Sequence, residues 1–160
     1  AEAGRDPAKV GVGAIFHTVF VDDPGRALLM GKSMAAGYYE YSPMLFEAPR
    51  LDWPGPNPAA LKRDNQVWPD FHHAPDLAAS GRVVDFLPEA AADAFCLRGG
   101  ATAIVEQALD VLRSAPVAFD YVVLHPVPDP TMPDDPERGY MARVAREVLP
   151  RMRGALGGRS

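Results

Sequence analysis

The apolar positions of the first regular stretch, Lys9 to Val21, fall on both parities: Val10, Val12, Ile15, Phe16, Val19, Phe20 and Val21. A β-branched and aromatic run of this kind predicts a strand covered on both faces, as in parallel sheets. Asp22-Asp23-Pro24 then offers a capping acid followed by proline at a first helical position. The period changes from two to between three and four: Ala27, Met30, Met34, Tyr38 and Tyr41 mark one face of a helix from Pro24 to about Tyr41. Gly31 and Gly37 either weaken that helix or let a neighbour approach its backbone closely. From Ser42 to Pro58 five prolines break any regular element, while Leu45, Phe46, Leu51 and Trp53 provide apolar anchors.

Short helices are predicted around Ala59 to Trp68, Asp76 to Phe86 and Pro88 to Leu97, closing an insertion that spans 42–99. After Gly99-Gly100, Thr102 to Arg113 carries Ile104, Val105, Ala108, Leu109, Val111 and Leu112 at helical spacing. A second buried strand follows at about 119–125, running into His125-Pro126. The last element is a helix from about Pro136 to Arg153, with Met141, Val144, Ala145, Val148, Leu149 and Met152 as its buried stripe and Arg143 on its outer face. Two buried parallel strands joined through helices predict an α/β fold with a right-handed crossover. Two strands alone leave open edges, so either the fold is mostly helical with a small sheet or further strands come from elsewhere.

The opening residues, Ala1-Glu2-Ala3-Gly4-Arg5-Asp6-Pro7, read as the tail of a helix, with Gly4 at a left-handed cap and Pro7 barring continuation. The expectation is a single C-terminal segment, 1–160, of a larger protein. Composition narrows the partners. Sixteen basic against twenty-one acidic residues give a net charge of -5 without a basic block, so neither nucleic acid nor an anionic membrane surface is expected. The lone Cys96 allows no internal disulfide, and with no leader pattern the chain is expected in the cytoplasm.

Several side chains are candidates for chemistry. His125 ends the second strand, where its imidazole either exchanges protons at a ligand or bonds to a loop carbonyl. His17 shares a strand face with Ile15 and Val19, which predicts a satisfied core histidine. His72-His73 predicts no metal site: adjacent histidines diverge on most backbones, and the pair reads as solvent-facing. Gly99-Gly100 before a helix offers either a phosphate cradle or a plain helix stop. Phe46, Trp53, Trp68 and Phe71, with Tyr38, Tyr39 and Tyr41, line a hydrophobic substrate lid or cover one end of the fold. Cys96 is expected to be an inert buried thiol.

Taken in order, Ala3-Gly4-Arg5-Asp6-Pro7, His17-Thr18-Val19-Phe20-Val21 and Asp22-Asp23-Pro24-Gly25-Arg26-Ala27 resemble the luciferase-like monooxygenase superfamily. The same holds for Val84-Asp85-Phe86-Leu87-Pro88-Glu89, for Asp120-Tyr121-Val122-Val123-Leu124-His125-Pro126 and for Arg146-Glu147-Val148-Leu149-Pro150-Arg151. The family usually shows Gly-Thr/Ser-Pro-Glu before the penultimate helix, and this chain departs from it with Gly100-Ala101-Thr102-Ala103. The resemblance implies the last two β/α units of a TIM (β/α)8 barrel. It implies an FMN- or F420-dependent oxidoreductase, with F420 slightly favoured, that transfers hydride to or from a small organic substrate. It also implies a missing N-terminal barrel segment that carries most of the cofactor site, and a homo-oligomer. In this reading His125 is catalytic, Gly99 and Gly100 are cofactor-binding, and the segment alone is inactive. The alternative is a non-enzymatic module that pairs through its strand edges.

Overall fold

The computed structural model describes residues 4, 6, 9–131 and 139–157. The helix tail expected at 1–7 lies largely outside them, although Gly4 does take a left-handed φ of +65°. The fold is mixed α/β. Among the described residues its sheet holds three strands, β1 (Gly13–Val19), β2 (Leu97–Arg98) and β3 (Tyr121–Pro126), all parallel, in the order β2-β1-β3. The expected pair of strands thus gains a two-residue neighbour, too short to leave a periodic signal. The first strand is shorter than 9–21, and Val10 and Val12 precede it as exposed chain.

Helix α1 (Pro24–Tyr41) starts where the sequence placed it, because Asp23 Oδ1 accepts from the Arg26 amide at 2.7 Å and Pro24 opens the first turn. The insertion forms α2 (Pro58–Asn65), α3 (Leu77–Val83) and α4 (Glu89–Phe95), each shorter than expected, and the 3-10 turn Phe71–His73 between α2 and α3. Asn57, Asp70 and Asp76 cap α2, the 3-10 turn and α3 through their side chains. Helix α5 (Ala101–Ser114) leads to β3. The chain then ends in α6 (Tyr140–Arg143), a π-turn at Val144–Val148 and α7 (Leu149–Gly157). The expected start of that last helix, at about 136, lies outside the described residues.

The π-turn corrects the stripe read from the sequence. Val144, Val148 and Met152 are buried as expected, but Met141 is 73% exposed and Ala145 also faces out. One extra residue in the turn shifts the helical phase, so a constant 3.6 period cannot hold across it. Arg143, expected on the outer face, lies over the Phe20 ring at 4.0 Å and pairs with Asp22 at 3.0 Å.

The two sheet faces differ. Phe16, Phe20 and Leu124 point toward α5 and the last helix and pack with Ile104, Val105, Ala108, Leu109, Val144, Val148 and Met152. On the opposite face only the C-terminal end is closed: Val19, Val21 and Val127 meet Met30 and Met34 of α1, Leu77 and Cys96. Further down that face Ile15 is 65% exposed, Tyr121 58% and Val123 41%. Coverage of the strand on both faces is therefore met only at its C-terminal end among the described residues. The insertion has its own core of Ala35, Ala36, Phe46, Phe71, Val84, Leu87 and Ala91. No helix among the described residues is long and apolar enough to cross a membrane.

Candidate functional site

Parallel pairing in this register sets His17 beside His125 and Ile15 beside Val123. Since side chains alternate along a strand, both histidines lie on the partly open face. They occupy the layer between buried Val19 and Val127 above and exposed Ile15, Val123 and Tyr121 below. Their rings meet edge to face, with centroids 5.2 Å apart. His125 is exposed and His17 half-buried. His17 is satisfied, but it is not the core histidine expected from its neighbours Ile15 and Val19, because Ile15 itself is open.

The partner of His17 comes from α1. Tyr38 sits in the last turns of that helix, and its hydroxyl lies 2.5 Å from His17 Nε2. The Tyr38 ring is fixed from both sides, stacked on Phe95 at 5.4 Å and on His72 at 5.3 Å. Burial lowers the pKa of His17, and the neighbouring His125 lowers it further. Burial also raises the pKa of Tyr38. Near neutral pH the pair is therefore a neutral imidazole and a neutral phenol sharing one short hydrogen bond. Such a pair can hand a proton to, or take one from, a ligand lying against His125 and the open face.

His72 reaches Tyr38 because Gly37 has no side chain. A Cβ at Gly37 would stand 1.8 Å from His72 Nδ1. Gly31 does the same for α4, where a Cβ would meet that of Ala92 at 2.7 Å. These are the close approaches that two glycines in a helix allowed for. His72 and His73 do not diverge: in the 3-10 turn their ring centroids are 4.0 Å apart, and Asp70 lies against both. The expectation of divergence fails because the 3-10 turn that Asp70 caps brings the two rings together. The usable signal was Asp70 two residues before His72, an N-cap acid whose oxygen accepts from both following amides.

The remaining candidates lie elsewhere. Gly100 caps α5, and a Cβ there would come within 3.0 Å of Asp22 Oδ1. A phosphate at that helix start would meet the Asp22 carboxylate, and Arg98 beside it is engaged with Glu89 and Asp93. Phe46 and Phe71 are fully buried in the insertion core, and Trp53 stacks on Tyr39 at 4.5 Å. Trp68, 78% exposed, lines a groove of about 330 Å³ with Val67, Pro75, Ala79 and Val83. The four aromatics are thus not gathered into one lid over the histidines. Cys96 is buried and its thiol is pushed up to about 12, which leaves it protonated.

Arg26 ties the segment after β3 back to α1, donating to Asp129 at 2.8 Å. Asp129 also accepts from the Thr131 amide and hydroxyl, at 2.9 Å each. The chain leaving the His125 strand is thereby held against the start of α1. Compared with protein-family models, with curated proteins and with solved structures, the chain matches none of them.

Proposed function

We propose that this chain forms the last two β/α units of a TIM-type barrel of luciferase-like character, with His17, Tyr38 and His125 facing the mouth. The single observation that carries this reading is the half-open sheet face. Parallel strands β1 and β3 carry α5 and the last helix on one side only. The other side presents apolar Ile15, Val123 and Tyr121 below a pair of histidines at the C-terminal strand ends. In a (β/α)8 barrel the helices lie outside, side chains fill the interior in layers, and the active site sits at the C-terminal ends of the strands.

In this reading the protein is an oxidoreductase that takes a reduced deazaflavin or flavin and a small organic substrate. F420 is slightly favoured over FMN, on the Ala/Arg/Pro-rich character of the sequence. The residues present fit the flat ring of such a cofactor: an apolar surface bordered by two imidazoles. They do not fit its phosphate, since Gly99-Gly100 lies against Asp22, so the phosphate would be bound by other parts of the barrel. The cofactor, when bound, supplies the hydride chemistry. His125 touches the ligand, and His17 with Tyr38 holds or moves the accompanying proton at His17 Nε2.

Fluorescence titration of F420 and of FMN with the native polypeptide tests this. Saturable quenching by one of them, weakened about tenfold or more in His125→Ala, is expected. The alternative is a non-enzymatic module that pairs with a second copy through its exposed strand edges, which would also bring the copy against the open face beside them. Quenching by neither compound, together with a dimer in sedimentation that Ile15→Lys dissociates, would favour that alternative and sink the enzyme.

A further inference from the structure

We propose that Asp70, His72 and His73 form a binding site for one divalent first-row transition ion, of which Zn(II) is the best fit. This site does not rest on the barrel reading, although the His72 ring stacks on Tyr38 at 5.3 Å. Its donors are two imidazole nitrogens and one carboxylate oxygen, all within 4.8 Å of one another. From Asp70 Oδ1, His72 Nδ1 lies 3.0 Å and His73 Nδ1 lies 3.1 Å away. Donors on one tetrahedral Zn(II), with bonds of about 2.0–2.2 Å, stand roughly 3.3 Å apart. An opening of a few tenths of an ångström therefore admits the ion.

The second observation is an orphaned atom. The His72 side chain is 9% exposed, and its Nδ1 is buried without a hydrogen-bond partner among the described residues. Asp70 Oδ1 is near enough, yet it already accepts from the amides of His72 and His73 at 3.1 and 2.9 Å and meets the ring at an angle that makes no bond. Buried polar atoms are rarely left this way, and an ion is one of the standard reasons. A metal would take that lone pair and the Asp70 and His73 donors together. Imidazole with carboxylate suits Zn(II) and its neighbours rather than Mg(II) or Ca(II), which take oxygen.

The scaffold is rigid, as a metal site needs. The Phe71 carbonyl between the ligands accepts from Ser33 Oγ at 2.5 Å and from Ser80 Oγ at 2.9 Å, so α1 and α3 both anchor the turn. Tyr38 and Tyr41 pack on the His72 ring, and Gly37 seats it. His73 is 57% exposed, which leaves an outward path for the ion and room for a water in the fourth position.

The test is titration of the EDTA-dialysed chain with zinc chloride by calorimetry, and with cobalt chloride by visible absorption. One ion per chain is expected, with d–d bands for Co(II) in a low-coordinate N/O site and a Tm that climbs with free Zn(II). His73→Ala removes a mostly exposed ligand, and Asp70→Asn keeps the side-chain oxygen that caps the turn. Both should bind at least 10–100-fold more weakly, the loss that removal of even an outer-sphere partner brings. No saturable binding of either ion, or an unchanged affinity in either variant, would overturn the site.

Discussion

Replacing Tyr38 with Phe isolates the bond that ties α1 to the histidine pair. The hydroxyl meets His17 Nε2 at 2.5 Å, while the ring stacks on Phe95 and His72. Tyr38→Phe keeps both stacks and opens no cavity, so the loss is confined to one hydrogen bond. A net bond of this kind is worth about 0.5–1.5 kcal/mol, and a buried partner left unmade costs about 1–3 kcal/mol. His17 is only half-buried and water can re-solvate its nitrogen, which places the expected loss near 1 kcal/mol. For a chain of this size that is a Tm drop of about 2–4 °C. Urea denaturation at pH 7.5 should show a lower midpoint with an unchanged slope. Tyr38→Ala also gives up the stacking and should cost clearly more. The same substitution removes the hydroxyl at His17 Nε2, so the His17 imidazole signals should shift from their positions in the parent. A Tyr38→Phe protein as stable as the parent, with unmoved His17 signals, would refute the pairing of these two residues.

Other substitutions probe the frame that holds the site. Gly81→Ala places a Cβ 1.9 Å from the Leu29 carbonyl oxygen of α1. Backbone cannot swing aside, so overpacking of about 1–3 kcal/mol should exceed the ~1 kcal/mol gain in helix propensity, and chemical denaturation should show a net loss. Asp129 is lowered in pKa: burial pushes it up, but the bonds from Arg26 and Thr131 outweigh burial. A depressed carboxyl stabilises the fold above its unfolded pKa of about 3.9, and the contribution is lost as pH falls through the lower folded value. Asp129→Asn should therefore narrow its stability gap to the parent between pH 5 and the acid limit, as followed by thermal melts. Cys96, with its thiol pushed up to about 12, should resist alkylation at pH 8 in the native chain and react at once in denaturant.

What the sequence made legible was what local chemistry decides. Asp23-Pro24 fixed the start of α1, and the apolar spacing of Ile104 to Leu112 located α5 to within a residue at each end. Both strands were visible as β-branched runs, though the second was placed two residues early. Leu97–Arg98 is too short to carry a period, and the π-turn at Val144–Val148 leaves no compositional mark. The site was legible only in part. His125 was chosen from its place at a strand end, but its neighbour His17 was assigned to the core. Whether an inward face is covered depends on what packs there, and parity alone cannot reveal it. The meeting of Tyr38 with His72 depends on the absence of one Cβ at Gly37, a contact between positions 34 apart in the chain that no periodicity encodes.

The most direct test of the site at the strand ends is to follow the side chains of His17, His72, His73 and His125 by NMR while adding F420 or FMN to the native full-length protein. The imidazole signals of His17 and His125 are expected to shift together and to saturate with one of the two compounds, with His73 unmoved. Shifts confined to His73, or no shift at His17 and His125 at saturating cofactor, would contradict it.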